Sequence, residues 1–233
     1  MINRIGNRAR KAQMTYSILA FDERTGRFGG AATTGSLCVG GWVLRGDPRA
    51  GMSASQGTAP STLWGESVLE QMRDGLTAPE AVTAVVQPDT GREHRQLAAL
   101  DPAGGTAAFT GAQSIATCAH RAEGAVIVAG NMLSSEAVLD ATLDSFLSTK
   151  GDFEDRLLAS LFAGERAGSD SRGLLSAALL VVGRDMAPLT LRVDFSETPL
   201  AALRDLLARV RSSPYHDWLS GVPTLDDPHR ARV

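Results

Sequence analysis

Runs of β-forming residues arrive in pairs in this chain, each pair joined by a glycine-bearing turn, and that rhythm limits the fold more than any other feature. Tyr16 to Asp22 reads as a strand, Glu23-Arg24-Thr25-Gly26 as a turn and Phe28 to Thr34 as the returning strand, so the chain opens on a β-hairpin. Gly29, Gly30, Ala31 and Ala32 in the returning strand are small enough to let a ligand, a helix or another backbone approach closely. Gly40 and Gly41 close this section, and Ala50 to Gln56 reads as a further strand despite its polar content.

Helical periodicity begins near Thr62, with Leu63, Val68, Leu69 and Met72 on one face, and stops at Gly75. Thr77-Ala78-Pro79-Glu80 is a capping box that opens a second helix through Val86. Gln96 to Leu100, Asp101 to Gly105 and Thr106 to Phe109 give strand, turn and strand. Ala125 to Ala129 is a short apolar strand ending at Gly130-Asn131. Helical character follows from Ser134 through Leu147, and Asp152 caps another helix carrying Leu157, Leu158, Leu161 and Phe162. Leu174 to Val182 and Leu189 to Val193 form a last strand pair. Thr198-Pro199 is an N-cap with proline at the first helical position of a closing helix that runs to about Val210.

Strands that come as hairpins build antiparallel sheets, and amphipathic helices between them form layers outside those sheets. The pattern predicts an α+β fold, a four-layer α/β/β/α sandwich with two mainly antiparallel sheets; a two-layer α+β domain is the alternative. No internal repeat or linker divides the chain. Residues 15–212 are read as one domain, 1–14 as a leader or tail and 213–233 as an irregular C-terminal tail.

The balance of 23 basic and 26 acidic residues leaves a net charge of −3, so no overall field argues for nucleic acid or an anionic membrane as partner. Met1 to Gln13 carries Arg4, Arg8, Arg10 and Lys11 but lacks the apolar core of a secretory signal, which predicts a cytoplasmic protein. Cys38 and Cys118 stand alone, with no C-x-x-C pairing and no histidines at ligand spacing, so no metal site is expected; reduced thiols are the default reading, and a disulfide stays open. Neither a Walker loop nor a G-x-G-x-x-G follows a strand, and no organic cofactor is implied. Layered sheets and helices can expose an apolar face to a second copy. No heptad specifies a number of subunits, so a homo-oligomer is an open expectation.

The chemistry-bearing stretch is Met14-Thr15-Tyr16-Ser17, where a start-like methionine precedes a hydroxyl residue. If Met14 is removed, Thr15 joins a nucleophile to a base in one residue, because its hydroxyl can attack while its own α-amine, of pKa about 8 in a model peptide, takes the proton. That is the equipment of an N-terminal-nucleophile hydrolase. An ordinary first strand after a common dipeptide is the plainer account.

Thr15 to Ala20 followed by Asp22, Thr25-Gly26 and Gly29-Gly30-Ala31 resembles the opening of the family known as domain of unknown function 1028. The resemblance continues in order through Gly91-Arg92-Glu93-His94-Arg95-Gln96-Leu97, Ala108-Phe109-Thr110-Gly111 and Ala119-His120-Arg121. It ends with Gly130-Asn131-Met132-Leu133, Arg172-Gly173, Ser176 to Leu179 and Leu191-Arg192-Val193-Asp194, so it spans about Thr15 to Val210. The resemblance implies an Ntn-hydrolase-like fold and no settled activity. Thr34 stands where the family commonly has Ser, Leu175 where Gln is frequent, and the stretch from Gly51 to Gln56 is shorter than usual.

On this reading Thr15 attacks a small amide and Asn131 donates to the oxyanion. Arg95 and Arg172 are candidates to clamp a substrate carboxylate. His120, Gln56 and Thr34 are candidates to line the pocket, and Ser17, on the same strand face as Thr15, is a candidate to support the terminus. Each also has a structural account: ion pairs for the arginines, a turn for Asn131, packing for the rest. Three classes stay open. They are an amidohydrolase acting through Thr15, a non-catalytic ligand-binding or assembly protein that keeps the fold, and a hydrolase using Ser176 or Cys118. The last lacks a G-x-S-x-G elbow or a cysteine signature.

Overall fold

The computed structural model describes residues 14–114, 117–168 and 173–231. The fold is mixed α+β, with two antiparallel sheets and seven helices among the described residues. The opening hairpin pairs β1 (Thr15–Asp22) with β2 (Arg27–Thr34), and Gly26 takes the positive φ of 68° that its turn requires. A short helix, α1 (Val39–Trp42), leads into β3 (Leu44–Asp47) and β4 (Gly51–Gly57). Next come α2 (Thr62–Arg73) and α3 (Ala78–Val86), the latter opened by the Thr77–Glu80 capping box. The strands β5 (Arg95–Leu100), β6 (Thr106–Thr110), β7 (Ala119–Glu123) and β8 (Val126–Asn131) follow. The chain then passes through α4 (Ala137–Ser148), α5 (Phe153–Gly168), β9 (Ser176–Val182), β10 (Leu189–Val193), α6 (Pro199–Val210) and α7 (Tyr215–Leu219).

The larger sheet runs β10-β9-β2-β1-β8-β7 and the smaller β3-β4-β5-β6. Alternation along each strand divides its side chains between two faces, and three apolar clusters result. Tyr16, Ile18 and Ala20 of β1 pack with Leu139, Phe146, Leu157, Leu161 and Leu203 of α4, α5 and α6. Leu19, Ala32, Met52, Ala54, Leu100 and Ile127 meet between the two sheets. Leu97 and Ala99 turn to the opposite face of the smaller sheet, where Trp64, Val68, Met72 and Val82 of α2 and α3 cover them. Fully burying each such large side chain is worth about 1.5–3 kcal/mol, so the clusters hold the sheets and helices in place. Tyr16 is completely buried and donates to the Leu161 carbonyl at 2.6 Å. Gly164 lets α5 press on it, since a Cβ there would fall 2.7 Å from Tyr16 Cε2.

Several expectations need correcting. Asn131 is the last residue of β8 rather than part of a turn, and the left-handed conformation falls on Met132, φ 54°. The helix expected from Ser134 begins at Ala137, and Thr198 precedes Pro199 without a side-chain capping bond. Residues 213–233, expected to be irregular, contain α7. Met1 to Gln13 and Arg172 lie outside the described residues. Among the described residues no helix is long and apolar enough to cross a membrane.

Candidate active site

Thr15 is the first residue of β1, which has a partner on either side. It pairs with Thr34 of β2 and with Asn131 of β8, and Thr34 pairs in turn with Ser176 of β9. Four polar side chains therefore form one row across four strands, on the face that looks toward the smaller sheet. Strand alternation puts Ser17 on that same face, one step further in.

Hydroxyl bookkeeping orients the row. Thr34 Oγ1 donates its only proton to the Met14 carbonyl at 2.8 Å, a carbonyl that also accepts from the Gly35 N–H at 3.0 Å. The 2.9 Å contact between Thr15 Oγ1 and Thr34 Oγ1 must then be donated by Thr15, and the Ser36 N–H adds a second donor to Thr34 at 3.3 Å. Ser176 Oγ donates to the Ser36 carbonyl at 2.8 Å and accepts from the Val39 N–H at 3.1 Å, so it is saturated by the loop that closes this edge. Met14 itself is 1% exposed and packs in the helix-side cluster.

A chain of side-chain amides runs beneath the row. Ser17 Oγ donates to Gln56 Oε1 at 2.9 Å, and Gln56 Nε2 donates to Gln96 Oε1 at 2.7 Å. Gln96 Nε2 then reaches the Ala119 and Gly130 carbonyls, each at 3.1 Å, and Thr110 Oγ1 at 2.9 Å. Backbone carbonyls only accept, so they fix the orientation of both glutamines and, through them, Ser17 as a donor to Gln56. Its lone pairs are left for a donor. Ser17, Gln56 and Gln96 are all buried, and the chain ties β1 through β4 and β5 to β8.

Asn131 is the exception in this satisfied neighbourhood. It is wholly buried, yet neither Nδ2 nor Oδ1 has a hydrogen-bond partner among the described residues. Leaving a buried polar atom unpaired costs about 1–3 kcal/mol, so an orphan amide beside a strained residue such as Met132 marks a place built for something other than stability.

The remaining sequence candidates stand apart from the row. Arg95 Nε pairs with Asp89 Oδ2 at 2.8 Å, its Nη1 donates to the Ala59 carbonyl, and its guanidinium lies 5.8 Å from the centre of the Trp64 ring. Arg95 is thereby committed to the loops around β5. His120 lies on the edge strand β7, where the loss of surrounding water to neighbouring protein, then Arg121, depresses its pKa. Cys38 and Cys118 are both free, and burial, then Glu136, push the Cys118 thiol up, away from the nucleophilic thiolate. No group of three or more metal-ligating side chains comes together among the described residues. Sequence reasoning missed Gln96 as a site residue. The available signal was an amide heading an otherwise apolar strand, Gln96-Leu97-Ala98-Ala99-Leu100.

With this geometry in hand, the comparisons place the chain. Residues 15–203 match the model of a family of unknown function, DUF1028. The crystal structure of a DUF1028 protein from Silicibacter pomeroyi is similar at a TM-score of 0.91 and 49% sequence identity, over 94% of this chain and 100% of that one. No curated protein matches the chain. The chain belongs to the DUF1028 family.

Proposed function

We propose that this DUF1028 protein is an N-terminal-nucleophile amidohydrolase, its two sheets and flanking helices forming the four-layer α/β/β/α sandwich of that class, with Thr15 as nucleophile once it ends the chain. The observation that carries the reading is the row itself. Thr15 heads a strand held on both sides, with a hydroxyl partner on one neighbour and an unpaired, buried amide on the other. That the family match begins at residue 15 agrees with it.

Loss of Met14 removes the carbonyl that takes the Thr34 proton, and frees Thr34, 2.9 Å from Thr15 Oγ1, to orient the nucleophile or its amine. Thr15 Oγ1 attacks the amide carbon, and its proton passes to the α-amine and on to the leaving nitrogen. Asn131 Nδ2 donates to the oxyanion. The C–N bond breaks, leaving an ester on Thr15. Water, activated by the same amine, then releases the acid and restores the threonine. Gln56 and Gln96 hold Ser17 and the Gly130 carbonyl in place around this step. The substrate is a small amide.

A second reading, a non-catalytic ligand-binding protein, draws on the buried Met14, whose carbonyl is held by two donors. Intact mass and N-terminal sequence of the protein from its natural host separate the two. A chain starting at Thr15 that loses all amide turnover in Thr15→Ala supports the hydrolase. Retention of Met14, or full activity in that variant, overturns it.

A further inference from the structure

Asn131 carries both halves of an amide, a donor group and an acceptor group, and neither has a partner among the described residues, while each polar side chain of the row and of the amide chain beside it already has at least one. Ser17, Gln56 and Gln96 satisfy one another and the Ala119 and Gly130 carbonyls. Ser176 is engaged by Ser36 and Val39, and Thr34, apart from its bond to the Met14 carbonyl, accepts from the Ser36 N–H and from Thr15. Each side chain of the row and of the amide chain beneath it is uncharged. A carboxylate brought here would meet one matching donor and one opposing acceptor on Asn131, and an ammonium the reverse. What satisfies both atoms is a neutral group with an acceptor and a donor side by side.

The side-chain amide fixes their geometry further. Its nitrogen and oxygen sit on one carbon and point the same way, so the partner must offer its C=O and N–H on the same side as well. A trans secondary amide, the ordinary peptide link, points them in opposite directions and can reach only one. We infer that the group held at Asn131 is a neutral amide whose C=O and N–H are syn, as in a primary carboxamide or a lactam. This rests on the hydrolase reading for its chemistry, and names the substrate class of that site. With a lactam, attack by Thr15 Oγ1 breaks the ring C–N bond, the nitrogen takes the proton and stays attached as an amine, and water completes an amino acid. With a primary carboxamide, ammonia leaves and a carboxylic acid is formed. In either case the Asn131 Oδ1 contact to N–H rejects an ester, which lacks the donor and would leave that oxygen unpaired.

The test measures binding without turnover, on the Thr15→Ala variant of the chain as the host leaves it, by ligand-observed NMR. The probes are 2-pyrrolidinone for lactams, propionamide for primary carboxamides, γ-butyrolactone for the missing N–H and N-methylacetamide for the trans amide. One or both syn amides should bind saturably, and the lactone and the trans amide at least tenfold more weakly. Adding Asn131→Leu should abolish the syn-amide binding. Asn131→Asp, which keeps the shape but replaces the donor, should do the same and decides the matter if the leucine variant fails to fold. Equal binding of lactone and lactam, unchanged binding without Asn131, or no saturable binding by either syn amide overturns the inference. Because the variant has no nucleophile, the outcome is independent of whether hydrolysis occurs: syn amides bound at Asn131 in a chain that retains Met14 would sink the hydrolase and leave the binding site standing.

Discussion

The two faces of β1 differ in what they ask of their side chains. Toward the helices, Tyr16, Ile18 and Ala20 are wholly buried and interlock with α4 and α5. Toward the smaller sheet, the same strand begins with Thr15 and Ser17, whose neighbours are Thr34, Gln56 and Asn131, and turns apolar only at Leu19. The helix side concentrates packing energy and the sheet side concentrates hydrogen-bonding capacity, so one strand can anchor the fold and present chemistry with alternate residues. Stability and activity should therefore separate by parity of position.

Adjacent residues give the sharpest trial. Thr15→Ala should reduce amide turnover by about 10³-fold or more, while changing the unfolding free energy by less than about 1 kcal/mol in urea titrations. Tyr16→Ala should do the opposite, losing about 3–5 kcal/mol through its cavity and its missing bond to Leu161, with the folded fraction remaining active. Similar effects of the two changes on stability would break the division. Gly164→Ala probes the helix side from its other partner: the added Cβ meets Thr142 Oγ1 at 2.5 Å and Tyr16, so a loss of about 1–3 kcal/mol is expected in the same titration. On the sheet side, Asn131→Leu should raise stability by about 1–2 kcal/mol, because it removes a buried amide with no partner. A fall in the urea midpoint would mean that ordered water already satisfies Asn131.

The smallest effect concerns acid. The side chains of the row do not titrate and should be indifferent to low pH, whereas Asp47 at the end of β3 is not. Burial pushes its pKa up, but hydrogen bonds from the Arg49 side chain and backbone and from Arg73 outweigh this and hold it at about 2. A carboxyl depressed in the folded state adds stability above its unfolded value and loses it as pH falls toward the folded one. Denaturant midpoints should therefore decline between about pH 4 and 2, and Asp47→Asn should flatten that decline.

How much of this was readable beforehand follows from the range of the interactions involved. The opening hairpin, the Thr77–Glu80 capping box, the pair β9 and β10, and α6 all rest on local patterns and stand close to where the residues place them. The segments α1, β3 and β7 do not. Val39-Gly40-Gly41-Trp42 and Leu44-Arg45-Gly46-Asp47 are short and broken by glycine, and the exposed edge strand Ala119-His120-Arg121-Ala122-Glu123 needs no apolar alternation. At the site, Thr15, Thr34 and Asn131 each drew notice alone, but their alignment is a matter of register between strands far apart in sequence, which composition does not encode. Gln96 was hidden for the same reason, since its partners lie on four other strands.

A chain end is ordinarily where fraying concentrates. Here the residue proposed to become that end opens a strand laddered on both flanks, to β2 along its whole length and to β8 from Thr15 through Ala20. A terminus at Thr15 would inherit the rigidity of the sheet interior. Its conformational entropy would be surrendered once, when the protein folds, and no further ordering of the nucleophile would be needed each time a substrate arrives.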